Sequence, residues 1–211
     1  WQEQSPEEIT RLSTFLKNKK ITSASVLIDD NVVFTRSFVY DEKITTVALD
    51  EVVTLAQGTA PFEIVPSQVT YEVLPQGAKS LIQARIFDQV KLAPLLKNLN
   101  ALNLKLSYFA LSEALVKLFD HFYDKPYFIF YSLDSDYLVT LGYQGKVYLT
   151  SLVKKSLLDI KKIINYSHAY FGTPATKVFL PSALESVFDV PGIEKSIYTD
   201  HEVVVDLKLP S

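Results

Sequence analysis

Asp134 and Asp136 are the residues whose type and spacing best suit chemistry. They lie in the short segment Ser132-Leu133-Asp134-Ser135-Asp136, between two apolar runs. Two such carboxylates could hold Mg²⁺, which needs few protein ligands and keeps several waters. Handling a phosphate would also need backbone N–H groups brought close to the anion, and Gly allows that approach. This turn has no Gly, and Leu133 and Ser135 carry side chains where the backbone would have to close in. A solvated turn is therefore the favoured reading. His121, His168 and His201 are scattered without metal-type spacing and read as structural histidines. No Ser sits in a Gly-x-Ser-x-Gly elbow. Lys154, Lys155, Lys161 and Lys162 could face anionic lipid, but a solvated helix face is favoured and the run is too short for firm membrane binding. Asn165-Tyr166-Ser167 is a glycosylation sequon, relevant only in a glycosylating compartment, and Asn165 falls within an expected helix.

Composition narrows the classes. The 211 residues suit one large or two small domains. Apolar residues make up 48% and charged residues 21%, the balance of a folded globular chain. A net charge of −3 gives no support for nucleic-acid binding. The absence of Cys excludes a disulfide framework and a thiolate metal site. No apolar run approaches the ~18 residues of a membrane-spanning helix. The chain begins Trp1-Gln2-Glu3-Gln4 and contains no Met, so it is expected to be an excised piece of a longer protein.

The elements that must position any site follow from periodicity. Three strands, Tyr127–Tyr131, Tyr137–Leu141 and Lys146–Leu152, form a meander that runs into a helix at about Leu157–Tyr170. Upstream, a helix starts at Ser5-Pro6-Glu7-Glu8, with Ile9, Leu12, Phe15 and Leu16 as its apolar stripe. Ala24–Ile28 and Val32–Tyr40 read as strands joined through Asp29-Asp30-Asn31. Thr45–Ala56 reads as a helix, with Leu49, Val52, Val53 and Ala56 on one face. Val69–Leu74 and Ser80–Phe87 form a hairpin around Pro75-Gln76-Gly77. Next come a helix at Val90–Leu99, with Pro94 tolerable near its first turn, a strand at Leu104–Phe109 and a helix at Leu111–Tyr123. The chain closes with a strand at Lys177–Leu180, a short helix at Ser182–Phe188 and a strand at Val203–Leu207. There is no internal repeat.

The order and spacing of these elements resemble the actin-like type IV pilus assembly protein PilM family, related to FtsA and to the cytoplasmic domain of GspL. The resemblance rests on the meander at 127–152 and on the strand–helix–strand–strand unit at 32–87. It also rests on Ala60-Pro61-Phe62 followed by Val69-Thr70-Tyr71-Glu72-Val73-Leu74, and on Glu113-Ala114-Leu115 opening a later helix. It implies an α/β (α+β) fold of the actin-like ATPase type, reduced in size, with an inserted subdomain. The expected divisions are residues 1–22 as a helix of the core, 23–103 as the inserted subdomain and 104–211 as the core with the meander.

The glycine positions on which the family's phosphate binding depends are missing. The acidic-Gly turn is replaced at 132–136, Lys154-Lys155 stands where Gly-Gly is usual, and Pro181-Ser182-Ala183 replaces the late Gly-rich turn. The expectation is a non-enzymatic scaffold with no cofactor and no metal. The resemblance implies a cytoplasmic protein, peripheral to the inner membrane, in a type IV pilus or related secretion platform. Its partner would be the cytoplasmic tail of a bitopic membrane protein, which it would recruit to the assembly ATPases, with no nucleic acid bound and no membrane insertion of its own. The enzyme alternative is an ATPase or sugar-kinase-like phosphotransferase with its phosphate turn outside the chain. Within the loop Gly58–Gln68, Phe62, Ile64 and Val65 are the candidate partner-binding residues, because two prolines fix the backbone and no helical or strand period commits these side chains to a core. Plugging the subdomain against its neighbour is their alternative role.

Overall fold

A computed structural model describes residues 6–30, 32–60, 62–76, 78–102, 104–119, 125–172 and 175–199. The meander forms as expected. Strands β6 (Tyr127–Ser132), β7 (Asp136–Tyr143) and β8 (Lys146–Lys154) pair antiparallel, and β6 continues in parallel to β9 (Lys177–Pro181). A strand absent from the sequence reading, β10 (Glu194–Tyr198), pairs in parallel with β9, giving the sheet order β10-β9-β6-β7-β8. The expected strand Val203–Leu207 lies outside the described residues.

Both faces of this five-stranded sheet are covered, and period-two alternation sorts its side chains between them. Phe128, Phe130, Val139 and Leu141 face the helix α5 (Ile160–Phe171), meeting Ile160, Ile163 and Ile164. Tyr127, Ile129, Leu138 and Phe179 face the helix α4 (Leu111–Phe119), meeting Leu115, Val116 and Phe119. Helix α4 starts as expected, and its expected end at Tyr123 lies outside the described residues; α5 starts and ends later than expected, and capping explains it. Asp159 accepts from the Lys162 amide at 3.0 Å and Gly172 closes the far end at φ +68°. Only a single 3-10 turn, Ser182–Leu184, forms where a helix to Phe188 was expected. Gly142 is required for close packing, since a Cβ there would come within 2.8 Å of the fully buried Tyr127 ring.

The inserted unit also forms. Strands β2 (Val33–Tyr40), β3 (Val69–Gln76) and β4 (Lys79–Phe87) make one sheet in the order β2-β4-β3. The helix α2 (Leu49–Gln57) buries Val52 and Ala56 against Phe34, Ile82, Ala84 and Ile86. It starts four residues later than expected, because the chain before it is tied to the sheet. The Ser80 hydroxyl accepts from the Ile44 amide at 3.0 Å, and the Tyr71 hydroxyl donates to the Val47 carbonyl at 2.7 Å. β-Branched Thr45, Thr46 and Val47 also disfavour helix there.

Strand β1 (Ser23–Ile28) lies in neither large sheet. It pairs in parallel with β5 (Lys105–Ala110), so the inserted unit's own sheet begins at Val33. Helix α3 (Gln89–Asn100) runs through Pro94 instead of keeping it to the first turn, and the Asp88 side chain caps it. In α1 (Pro6–Asn18) the expected stripe stays largely open, with Leu12 and Phe15 exposed.

A candidate docking cleft between the two sheets

The edge strands β2 and β8 bring the inserted sheet against the five-stranded sheet. Each is the outer strand of its own sheet, and side chains complete the join. The Thr35 amide donates to the Thr150 hydroxyl at 3.1 Å, and that hydroxyl donates to the Thr35 carbonyl at 3.4 Å. The Gln83 side-chain amide donates to the Val147 carbonyl, and Arg36 Nη1 donates to the Thr150 carbonyl. These bonds leave little freedom where the sheets meet.

Beside this seam lies a cleft of about 280 Å³. Phe34 and Phe62 form one wall, Leu138, Thr150 and Leu152 the other, and Arg36 stands between them. Phe34 and Phe62 meet edge to face at 5.8 Å, while the Arg36 guanidinium lies 5.1 Å above the Phe34 ring. Leu152 is exposed on the uncovered part of β8, opposite Leu138 in register. Asp30 closes the floor but is fully engaged. Its carboxylate accepts from the Ser112 amide at 2.9 Å and the Ser112 hydroxyl at 2.5 Å, capping α4. Burial pushes the Asp30 carboxyl up to about 7, although both Ser112 bonds pull the other way.

The three loop residues expected to bind a partner divide. Phe62 is half-buried and lines the cleft. Ile64 does not offer a binding surface, because it is 5% exposed and packs in the core under α2. Its amide donates to the Gln57 side chain at 2.7 Å, and that side chain also donates to the Phe62 carbonyl, pulling the loop inward. Val65 is 44% exposed but is not part of the cleft lining. The sequence reading missed Arg36, although a cation inside the apolar strand Val33–Tyr40 was a visible signal.

Asp134 and Asp136 line a separate, open depression with Asp29 and Lys155. Two backbone groups of the turn are engaged: the Leu133 amide donates to the Asp136 carbonyl, and the Ser135 carbonyl accepts from the Lys155 amide. Lys155 is held by Ser132 at 3.0 Å and over the Tyr137 ring. Three carboxylates therefore surround one committed cation, an arrangement that repels a phosphate instead of cradling it. Lys154, Lys161 and Lys162 are exposed, as are Asn165 and His168 on α5; His121 and His201 lie outside the described residues. No group of three or more potential metal ligands occurs among the described residues.

No family model matches the sequence, and no curated protein matches it. Solved structures do. The PilM–PilN type IV pilus biogenesis complex aligns at TM-score 0.58 and 13% identity, over 92% of this chain and 75% of that one. This chain has the PilM fold. The cytoplasmic domain of EpsL, an inner-membrane component of the Vibrio cholerae type II secretion system, aligns equally well at TM-score 0.58 and 12% identity, over 97% of this chain and 80% of its own. A Bacteroides thetaiotaomicron protein with an actin-like ATPase fold aligns at TM-score 0.44. The PilM-like architecture read from element order is thus the one observed, α+β with an inserted strand–helix–strand–strand sheet. No helix among the described residues is long and apolar enough to cross a membrane.

Proposed function

We propose that this protein is a non-catalytic scaffold of a type IV pilus or related secretion platform, working at the cytoplasmic side of the inner membrane. It captures the short cytoplasmic tail of a bitopic membrane protein and holds it for the assembly ATPases. The observation that carries this reading is the cleft beside the β2–β8 seam, where half-buried Phe62 and exposed Leu152 offer apolar surface beside a polar anchor. Concave, mostly apolar sites with a few placed polar groups suit a short peptide. One aligned structure is a PilM–PilN type IV pilus biogenesis complex, and EpsL is an inner-membrane component, which fits a membrane partner. The carboxylate-lined turn at 132–136 supports a non-catalytic role over the ATPase or phosphotransferase alternative.

The test uses synthetic cytoplasmic tails of bitopic proteins encoded beside this gene, with binding followed by fluorescence anisotropy. A tail should bind, and Phe62→Ala should weaken it by about tenfold with the fold intact, because an aromatic anchor in a pocket contributes at least 1–2 kcal/mol. A charge at exposed Val65 tests whether the tail runs on across the loop. A tail that binds Phe62→Ala as tightly as the wild type would place the docking surface elsewhere.

A further inference from the structure

Arg36 and Lys91 line the cleft, and among the described residues no carboxylate pairs with Arg36. Arg36 is half-buried, and one of its nitrogens carries all of its bonds: Nη1 donates to the Thr35 carbonyl at 3.0 Å and to the Thr150 carbonyl. Among the described residues, Nε and Nη2 have no partner. The two acids that share a cavity lining with it are committed elsewhere: Asp30 is held by Ser112, and Asp159 caps α5. Besides the two carbonyls, Arg36 interacts with the Tyr170 hydroxyl, which is neutral at physiological pH. Burial lowers the Arg36 pKa, the sign of a charge lacking compensation.

The unused edge has a specific shape. Nε and Nη2 form the side-on fork that matches the two oxygens of a carboxylate. One nitrogen bonded to two carbonyls is enough to fasten β2 to β8, and a purely structural role leaves this second edge without a purpose. The guanidinium also lies over the Phe34 ring, and Phe62 lines the same cleft, so apolar surface would exclude water from an ion pair formed there.

We propose that Arg36 anchors a carboxylate of the docked segment, so that the cleft selects an extended peptide bearing an Asp or Glu between apolar residues that cover Phe62 and Leu152. This rests on the cleft being the docking site. In an extended peptide the acid and its flanking apolar residues would sit two apart, on one side of the strand.

A displayed library of random twelve-residue peptides, panned against the whole chain, tests it. Selected peptides should be enriched in an acid with apolar residues two positions away. Replacing that acid by its amide should weaken binding to the wild type by about tenfold or more, as expected for losing a charge-assisted bidentate contact. Arg36→Gln should bind acid and amide peptides alike, and Arg36→Lys should recover part of the preference. Equal binding of acid and amide peptides by the wild type overturns the proposal, and that comparison needs no protein variant to fold. If binding is lost in Phe62→Ala but ignores both the acid and Arg36, the carboxylate anchor falls and the cleft stands. If neither substitution matters, or the library yields no binder, both fall.

Discussion

The Thr150 hydroxyl bridges the amide and carbonyl of Thr35, accepting at 3.1 Å and donating at 3.4 Å across 115 positions of sequence. Thr150 is 1% exposed and Thr35 is 2% exposed, so water cannot replace this bond. Thr150→Val keeps the shape and leaves the Thr35 amide without its acceptor. The expected cost is about 1–3 kcal/mol, the penalty for an orphaned buried donor. Urea unfolding should show it, with Thr150→Ser nearer the wild type. An unchanged midpoint for Thr150→Val would mean that the seam depends on packing alone.

Asp30 makes stability depend on pH in an unusual direction. Its folded pKa of about 7 stands above the ordinary 3.8, because burial disfavours the anion and Asp29 and Glu113 add to the effect. The folded state therefore binds the proton more tightly than the unfolded chain. The contribution of this group to stability is complete below the ordinary value, falls as pH rises towards 7, and is level above that. Asn can still accept from the Ser112 amide. Asp30→Asn should therefore gain on the wild type between pH 5 and pH 8, measured as the difference in denaturant midpoint at each pH. A gap that is the same at both pH values would show that Asp30 is ionised throughout.

Ile64→Asp should prevent stable folding. Ile64 packs with Val52, Ala56 and Val69, and a carboxylate placed there has no partner. The loss should be about 3 kcal/mol or more. Val65→Asp, one residue along and exposed, should melt like the wild type. A cooperative melt near the wild-type temperature for Ile64→Asp would show that the loop is not core.

Mg-ATP should leave the melting temperature unchanged. Asp29, Asp134 and Asp136 line the depression where a phosphate would have to sit, and the Leu133 amide is spent on the Asp136 carbonyl. A nucleotide at ~100 times its dissociation constant would add about 2.7 kcal/mol and shift the melt visibly. A saturable shift that requires Mg²⁺ would restore the enzyme alternative.

Local signals in the sequence determined much of this protein. Continuous runs rich in Tyr, Phe, Ile, Val and Leu marked the meander, because both faces of this sheet are covered. The apolar face of 49–56 and the hairpin at 69–87 marked the inserted sheet. The Gly-free turn at 132–136 could be read directly, since backbone approach depends on the residue in place. Pairing across the chain was decided by tertiary structure. β1 and β2 follow one another through Asp29-Asp30-Asn31, but parallel bonding to β5 puts β1 in a different sheet from β2. The loop 58–68 had no period to read, so the direction of Ile64 was set by Gln57 and the core beneath it. The cleft itself needed Phe62, Arg36 and Leu152 from three distant segments. Their meeting depends on which edge of one sheet docks against another, and residues more than a hundred positions apart leave no local pattern for that.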